Sequence, residues 1–242
     1  MNSYNVFALF YDRLTDNVDY EVRSDYISNF FSEYGNGGRT VLDLACGTGA
    51  ITSCLINSGY DTIGIDLSEE MLTAAKEKCP EGIFIKADMT DFSLTEKVDF
   101  CVCSLDAINH LTTAEQVYKC FDCVADSMLD GGIFVFDVNT AYKHKEILAD
   151  NSFIFDEDDF FLAWDNEYIG DGVVKIYLDF FIYNGRNYDR YSESFKERAY
   201  DTDMLAAALE KRFEIIGIFD DLTENPPEEN SERLYFVCKK VK

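Results

Sequence analysis

The sequence predicts an α/β fold: a doubly wound, mostly parallel sheet of seven strands carrying an antiparallel β insert. Three observations predict it. Short apolar runs alternate with helical stretches from residue 40 to about residue 139. A loop of small residues, Cys46-Gly47-Thr48-Gly49, follows the first of those runs, at the strand end where parallel sheets bind ligands. After residue 140 the pattern changes to β-rich stretches joined by turns, followed by one helix and two final strands.

Residues 4–34 read as helical, with Val6, Leu9, Phe10, Ile27, Phe30 and Phe31 at three- and four-residue spacings, and GNGG at 35–38 stops them. TVLDLA at 40–45 is a short buried strand, and the next helix runs through Ile51, Leu55 and Ile56. DTIGIDLS is strand two. SEEMLTAAKEKC is a helix with Ser68 as N-cap and Glu69 and Glu70 in its first turn, where negative charge meets the positive end of the helix dipole. GIFIKADM, VDFCVCSL and GGIFVFDV are strands three to five, and AEQVYKCFDCVADSML is the helix before the fifth. Five strand–helix alternations are expected, each crossover about the length of a right-handed βαβ unit. FFLAWDNEYI, VVKIYLDFFIYN and YDRYSESFKERAY then form an antiparallel insert through the turns GDG and NGRN. TDMLAAALEKRF is a helix capped by Asp201 or Thr202, and FEIIGIFDDL and ERLYFVCKK are the last strands. The expected divisions are 1–34 (helical), 35–150 (core), 151–200 (insert) and 201–242 (completion of the core).

The 242 residues carry 21 Lys and Arg against 46 Asp and Glu, a formal net charge of −25. Such a surface repels phosphate backbones and anionic membranes unless a basic stripe offsets it. The densest basic cluster is only Lys239, Lys240 and Lys242, so neither nucleic acid nor membrane is an expected partner. No apolar run approaches the roughly 18 residues of a membrane span, and no basic, cleavable leader opens the chain. Cys101 and Cys103 share one strand face, and Cys120-x-x-Cys123 stands alone in a helix. With only His110 and His144 to add, four zinc ligands are not assembled. No metal is expected, and buried free thiols in a reducing cytoplasm fit the cysteines better.

The chemistry concentrates after the first strand. Asp43 sits inside the strand end, and Asp66 ends the second strand, placed to accept the two hydroxyls of a nucleoside ribose. A dinucleotide fingerprint needs a third glycine, but Thr52 stands there, and Asp43 is badly placed for a pyrophosphate. An acidic cradle suits a cationic ligand instead. S-adenosylmethionine, with its sulfonium and ammonium, is such a ligand.

With these residues in place, the sequence resembles the class I S-adenosylmethionine-dependent methyltransferases. Their first motif matches LDLACGTG, with Ala45 where a glycine often stands; their second-strand acid matches Asp66 in IGIDLSEEML. Their third-strand acid matches Asp88 in IKADM, beside Met89, and the loop next to the methyl group matches SLDAINHL. The motif order agrees over about residues 35–140, and the terminal strands match the family's last hairpin. The start, with Tyr4, Tyr11 and Asp12, resembles the helical lid of bacterial small-molecule methyltransferases, as does the insert ending in ERAY. Related sequences often carry a His three residues before that Arg; here Phe195 stands there, so no such role is transferred.

The resemblance implies a Rossmann-like methyltransferase that uses S-adenosylmethionine to methylate a small-molecule N or O nucleophile. The cofactor-binding candidates are Tyr11, Asp43, Ala45, Cys46, Gly47, Gly49, Asp66, Leu67, Met71, Asp88, Met89 and Leu105. Asp106 and His110 are candidate bases, since an amine or hydroxyl acceptor must lose a proton. Asn109, Arg198, Tyr200 and Trp164 are candidate substrate contacts, and the acidic run Asp156–Asp159 reads as a solvated loop. A nicotinamide-dependent oxidoreductase and a non-catalytic S-adenosylmethionine-binding protein are the alternatives.

Overall fold

The structure, a computed structural model, describes residues 4–241, with side chains from Phe7 onward. Residues 1–3 of the expected lid and the side chains of Tyr4 and Val6 lie outside the described residues. The stretch read as helical over 4–34 forms two helices, α1 (Tyr4–Leu14) and α2 (Tyr20–Tyr34). The break has a local cause. Thr15 Oγ1 donates to Tyr11 O at 2.8 Å, and Asp19 caps the new helix by accepting from Val22 N at 3.0 Å. The cluster T-D-N-V-D is therefore a turn and cap that the wider apolar periodicity hid.

The core follows as β1 (Thr40–Leu44), α3 (Ala50–Asn57), β2 (Asp61–Asp66), α4 (Glu69–Lys78), β3 (Ile83–Lys86), β4 (Val98–Cys103), α5 (Ala114–Ser127) and β5 (Met128–Asn139). Ser68 caps α4 through Met71 N at 3.2 Å, as expected. One expected helix is missing: residues 87–97 cross from β3 to β4 as turns, so the strand–helix alternation lapses once. The insert has four strands, β6 (Ser152–Asp156), β7 (Phe160–Gly170), β8 (Val173–Tyr183) and β9 (Tyr188–Arg198). The reading anticipated three. Five-residue SFIFD is too short for alternation to stand out beside the acidic run that follows it. Helix α6 (Thr202–Leu209) and strands β10 (Phe213–Asp220) and β11 (Arg233–Lys240) complete the chain.

The main sheet runs β10-β11-β5-β4-β1-β2-β3. Strands β1 to β5 are mutually parallel, and β11 is antiparallel to both β5 and β10. Alternation along each strand sends side chains to two separate cores. Leu42, Leu44, Cys101, Cys103, Phe134 and Phe136 face α5 and α6. Val41, Phe100, Val102, Ile133 and Val135 face α2 and α3, with Phe31 stacked on Phe100 at 4.5 Å. A third core belongs to the insert: Phe160, Leu162, Ile176 and Phe180 pack around Phe10 of α1. All eight cysteines are free; six are buried, while Cys54 and Cys123 are half-buried.

The acidic run after β6 is not merely solvated. Arg13 of α1 donates to both carboxylate oxygens of Asp159, at 2.7 and 3.0 Å, while lying over the Phe160 ring at 4.4 Å. On its other side α1 is tied to the core, because Asp12 accepts from Thr48 Oγ1 at 2.5 Å and pairs with Lys78 at 2.8 Å. Among the described residues no helix is long and apolar enough to cross a membrane.

Candidate active site

Strands β1 and β4 are neighbours, but the chain leaves β1 toward β2 and β3 and leaves β4 toward β5. That reversal opens a crevice at the carboxyl ends of the strands, where open α/β sheets bind ligands. A cavity of about 830 Å³ lies there. Its floor comes from the ends of β1, β2 and β4, and its other walls include Phe7 and Tyr11 of α1 and Phe195 and Lys196 of β9.

Eleven of the twelve cofactor candidates line this cavity: Tyr11, Asp43, Ala45, Cys46, Gly47, Asp66, Leu67, Met71, Asp88, Met89 and Leu105. Gly49 does not. It has φ of +76° at the start of α3, and a Cβ there would stand 3.0 Å from that of Ala75. Its small size serves the approach of α3 to α4. Gly47 is the open one: at φ +53° an added Cβ would meet nothing within 4 Å. The backbone there is bare toward a ligand, as a cradle requires. Ala45 holds φ +58° without glycine's freedom, a strained position beside the same cavity.

Asp66 is fixed by the loop it faces, its two oxygens accepting from Gly47 N at 2.9 Å and Ser68 N at 2.8 Å. Each oxygen keeps a further lone pair for a ligand hydroxyl. Burial raises the Asp66 carboxyl above its usual range. Asp43 is only 2% exposed and accepts from Thr52 Oγ1; burial pushes its carboxyl up to about 7. Asp88 uses Oδ1 to accept from Thr90 N at 2.8 Å and Thr90 Oγ1 at 2.7 Å, bracing the turn that replaces the missing helix. Burial also pushes the Tyr11 phenol and the Cys46 thiol well above their usual values, so both stay protonated near neutrality.

The loop after β4 is held from behind by a group that sequence reasoning missed. Asp137, fully buried at the end of β5, accepts from Ser104 Oγ at 2.9 Å, Leu105 N at 2.7 Å and Asp106 N at 2.8 Å. Those bonds sustain two successive left-handed residues, Leu105 at φ +57° and Asp106 at +54°. Arg233 of β11 bridges Asp137 and Asp106, the latter at 2.7 Å. An acid inside the apolar run FVFDV was the available signal.

Asp106 is corrected as a candidate base. Burial alone would raise its carboxyl, but Arg233 and then Lys143 hold it below the usual range, and it does not border the cavity. His110 does border it, with its side chain 42% exposed and its ring 5.2 Å from that of Phe195; enclosure in the cleft lowers the imidazole below its usual value. The four substrate candidates stand off the cavity. Asn109 is fully buried, donating to Asn139 O at 3.0 Å and Arg198 O at 2.9 Å while accepting from Asn139 N at 2.9 Å. Arg198 donates to Thr112 O at 3.3 Å and lies over the Tyr200 ring, whose hydroxyl donates to Leu111 O. Trp164 packs on Phe153 in the insert and donates to Asn166 Oδ1 at 2.7 Å. Asn109, Arg198 and Tyr200 fasten the β4 loop to β5 and to the end of the insert, while Trp164 packs within the insert itself.

Fold and cavity define an α/β protein with a ligand-sized crevice at a topological switch point. Comparison with known proteins narrows that class. Residues 41–132 match the methyltransferase domain family. The chain is 32% identical to the putative methyltransferase YqeM of Bacillus subtilis (strain 168), over 99% of this chain and 98% of that protein. A crystal structure of an S-adenosylmethionine-dependent methyltransferase from Clostridium acetobutylicum ATCC 824 superposes with a TM-score of 0.89 at 32% identity, covering all of both chains. A partial match, 30% identical over 55% of each chain, is the dTDP-3-amino-3,4,6-trideoxy-alpha-D-glucopyranose N,N-dimethyltransferase of Streptomyces venezuelae. The chain belongs to the class I S-adenosylmethionine-dependent methyltransferases, and S-adenosylmethionine is its cofactor. The nicotinamide-dependent and non-catalytic alternatives fall away with that membership.

Proposed function

We propose that the protein transfers the methyl group of S-adenosylmethionine to a nitrogen or oxygen nucleophile of a small molecule. The observation that carries this reading is the cavity at the carboxyl ends of the strands. Its volume, about 830 Å³, falls in the range of small-molecule sites, and Phe7 and Tyr11 of α1 and Phe195 and Lys196 of β9 stand in its walls. The lack of a basic stripe in a chain of net charge −25 points the same way. A nitrogen nucleophile is favoured by the amino-sugar N,N-dimethyltransferase among the relatives.

The residues fit the cofactor. Asp66 takes the ribose hydroxyls on its free lone pairs, Gly47 lets the backbone approach, and Asp88 and Met89 stand at the adenine end. Asp43 supplies negative charge beneath the cationic part, and Tyr11 and Leu105 close the amino-acid and methyl end. When bound, the cofactor supplies an electrophilic methyl and a neutral sulfur leaving group. The protein's work is to align the acceptor, exclude water and hold the acceptor's proton. His110 is the base at the cavity wall.

Incubating the protein with methyl-labelled S-adenosylmethionine and a cell metabolite extract tests the reading. A labelled small molecule is the expected outcome; label found only in nucleic acid or protein, or none while S-adenosylhomocysteine binds, would overturn it.

A further inference from the structure

Behind His110 lies a buried group that the site described so far does not use. Glu197, on the inner face of β9, is 5% exposed, and its Oε1 stands 3.8 Å from His110 Nε2. Its Oε2 stands 3.8 Å from Nε2 of His144, a fully buried ring in the π-helical turn Lys143–Leu148. The other nitrogen of His144, Nδ1, lies 2.8 Å from Gly172 O, a carbonyl that can only accept, so Nδ1 carries the proton. Nε2 of the neutral ring is then a bare acceptor, and among the described residues it has no hydrogen-bond partner. A buried acceptor facing a carboxyl group calls for a proton between them.

Charges of both signs surround this pair. The groups facing Glu197 are Asp106 and His110 from the β4 loop, Lys143 and His144 from the π-helical turn, and Arg233 from β11, with Asn139 of β5 hydrogen-bonded to it. Asp137 shares Arg233. Asp106 is the other carboxylate among these groups, and Lys143 and Arg233 are the fixed cations, while Asp137 is faced by Arg23 as well. Burial first, and Asp106 second, push the Glu197 carboxyl up to about 8.

We propose that Glu197 and His144 form a proton store behind the active site, which receives the acceptor's proton through His110. The inference rests on the cavity being the methyl-transfer site. The acceptor's N–H or O–H bond breaks, and its proton passes to the His110 ring. The bonding pair stays on the acceptor atom and forms the new bond to the methyl carbon, while the carbon–sulfur pair departs with sulfur. His110 Nε2 then hands a proton to Glu197 Oε1 while the carboxyl passes the proton it already holds from Oε2 to the bare Nε2 of His144, so that Glu197 stays neutral and the His144 ring becomes the cation. The gaps of 3.8 Å are longer than hydrogen bonds, and such gaps often tighten when acceptor and cofactor bind. The half-exposed His110 returns the proton to solvent. His110 is the catalytic group here; Glu197 and His144 are positioning residues that act through it.

The chain has only two histidines, and both belong to this cluster. Histidine 15N labelling of the full chain with S-adenosylhomocysteine bound therefore gives two ring signals, followed from pH 5 to 9. Both are expected to show a shared inflection near pH 8 that disappears in Glu197→Gln. Glu197→Asp, which keeps a carboxylate, retains it at a shifted pH and so separates loss of the proton store from misfolding. Rings that titrate identically in wild type and Glu197→Gln would overturn the proposal. So would Zn²⁺ that binds the cluster stoichiometrically, since Asp106, His110 and Glu197 would then be metal ligands. In a second arm, label transfer from S-adenosylmethionine into a metabolite extract is measured against pH. Glu197→Gln is expected to fall roughly a hundredfold and to lose the rise toward pH 8, with cofactor KM unchanged. An unaltered profile would overturn the proposal, whereas absence of transfer in wild type strikes at the proposed function and leaves the titration as the deciding result.

Discussion

Asp43 lines the cavity at the end of β1, beneath the charged end of the cofactor in the proposed reading, and its carboxyl is pushed up to about 7 by burial. A cationic ligand favours the ionised form, so below about pH 7 binding must expel a proton. Affinity for S-adenosylmethionine is expected to fall as pH drops below 7, by at most roughly tenfold per unit. Calorimetry at pH 6 in buffers of different ionisation heat should show proton release that is absent at pH 8. Asp66 carries a second expectation. Asp66→Ala removes a carboxylate that orients Gly47 and Ser68 and that the proposed reading sets against the ribose, and should weaken cofactor binding by about 2–3 kcal/mol. Unchanged affinity would remove Asp66 from the site. Both acids were legible because a strand-end acid in the frame of a small-residue loop has few other uses. Asp137, Arg233 and Glu197 were not, because each acts across the sheet or the insert on residues about 30 to 130 positions away.

Helix α1 belongs physically to the insert, since Phe10 lies 4.7 Å from Phe160 and 5.7 Å from Phe180. Two exposed ionic clasps complete its attachment: Arg13 to Asp159, and Asp12 to Lys78 and Thr48. Both are open to solvent, so each is worth at most about 1 kcal/mol and weakens with salt. Arg13→Ala is expected to speed hydrogen exchange in α1 and raise the cofactor Kd a few-fold. The same variant should leave exchange in β5 and β11 unchanged. Equal exchange in α1 would mean that apolar packing alone holds it. The helices and strands themselves were readable where capping and periodicity agreed, as at Ser68 and α4. The reading failed where a short element lacked both, as at β6 and in the β3–β4 crossover.

Across the whole molecule, the charge of −25 opposes compactness, and added salt should raise the melting temperature by screening it. Two buried carboxyls act in the same sense. Asp43 and Glu197 titrate at about 7 and about 8 in the folded protein, against ordinary values of 3.8 and 4.5. Between about pH 4 and 8 the folded state therefore keeps protons that the unfolded chain has shed. Stability is expected to decline as pH rises through that window, on the order of 1 kcal/mol per unit where one proton differs, and to level off above it. Urea unfolding without cofactor at pH 5.5, 7 and 8.5 checks the sign; stability that rises with pH would refute it. The sequence by itself determined the parallel sheet, the antiparallel insert, the glycine loop and the acids that line the cavity, because local periodicity and strand-end position impose them. Tertiary structure alone decided that Asp106 pairs with Arg233, that Asn109, Arg198 and Tyr200 tie the β4 loop to β5 and the insert, that Trp164 packs within the insert, and that Glu197 lies between two histidines. Partners far apart in sequence decide whether a polar side chain is free, and no local pattern records them.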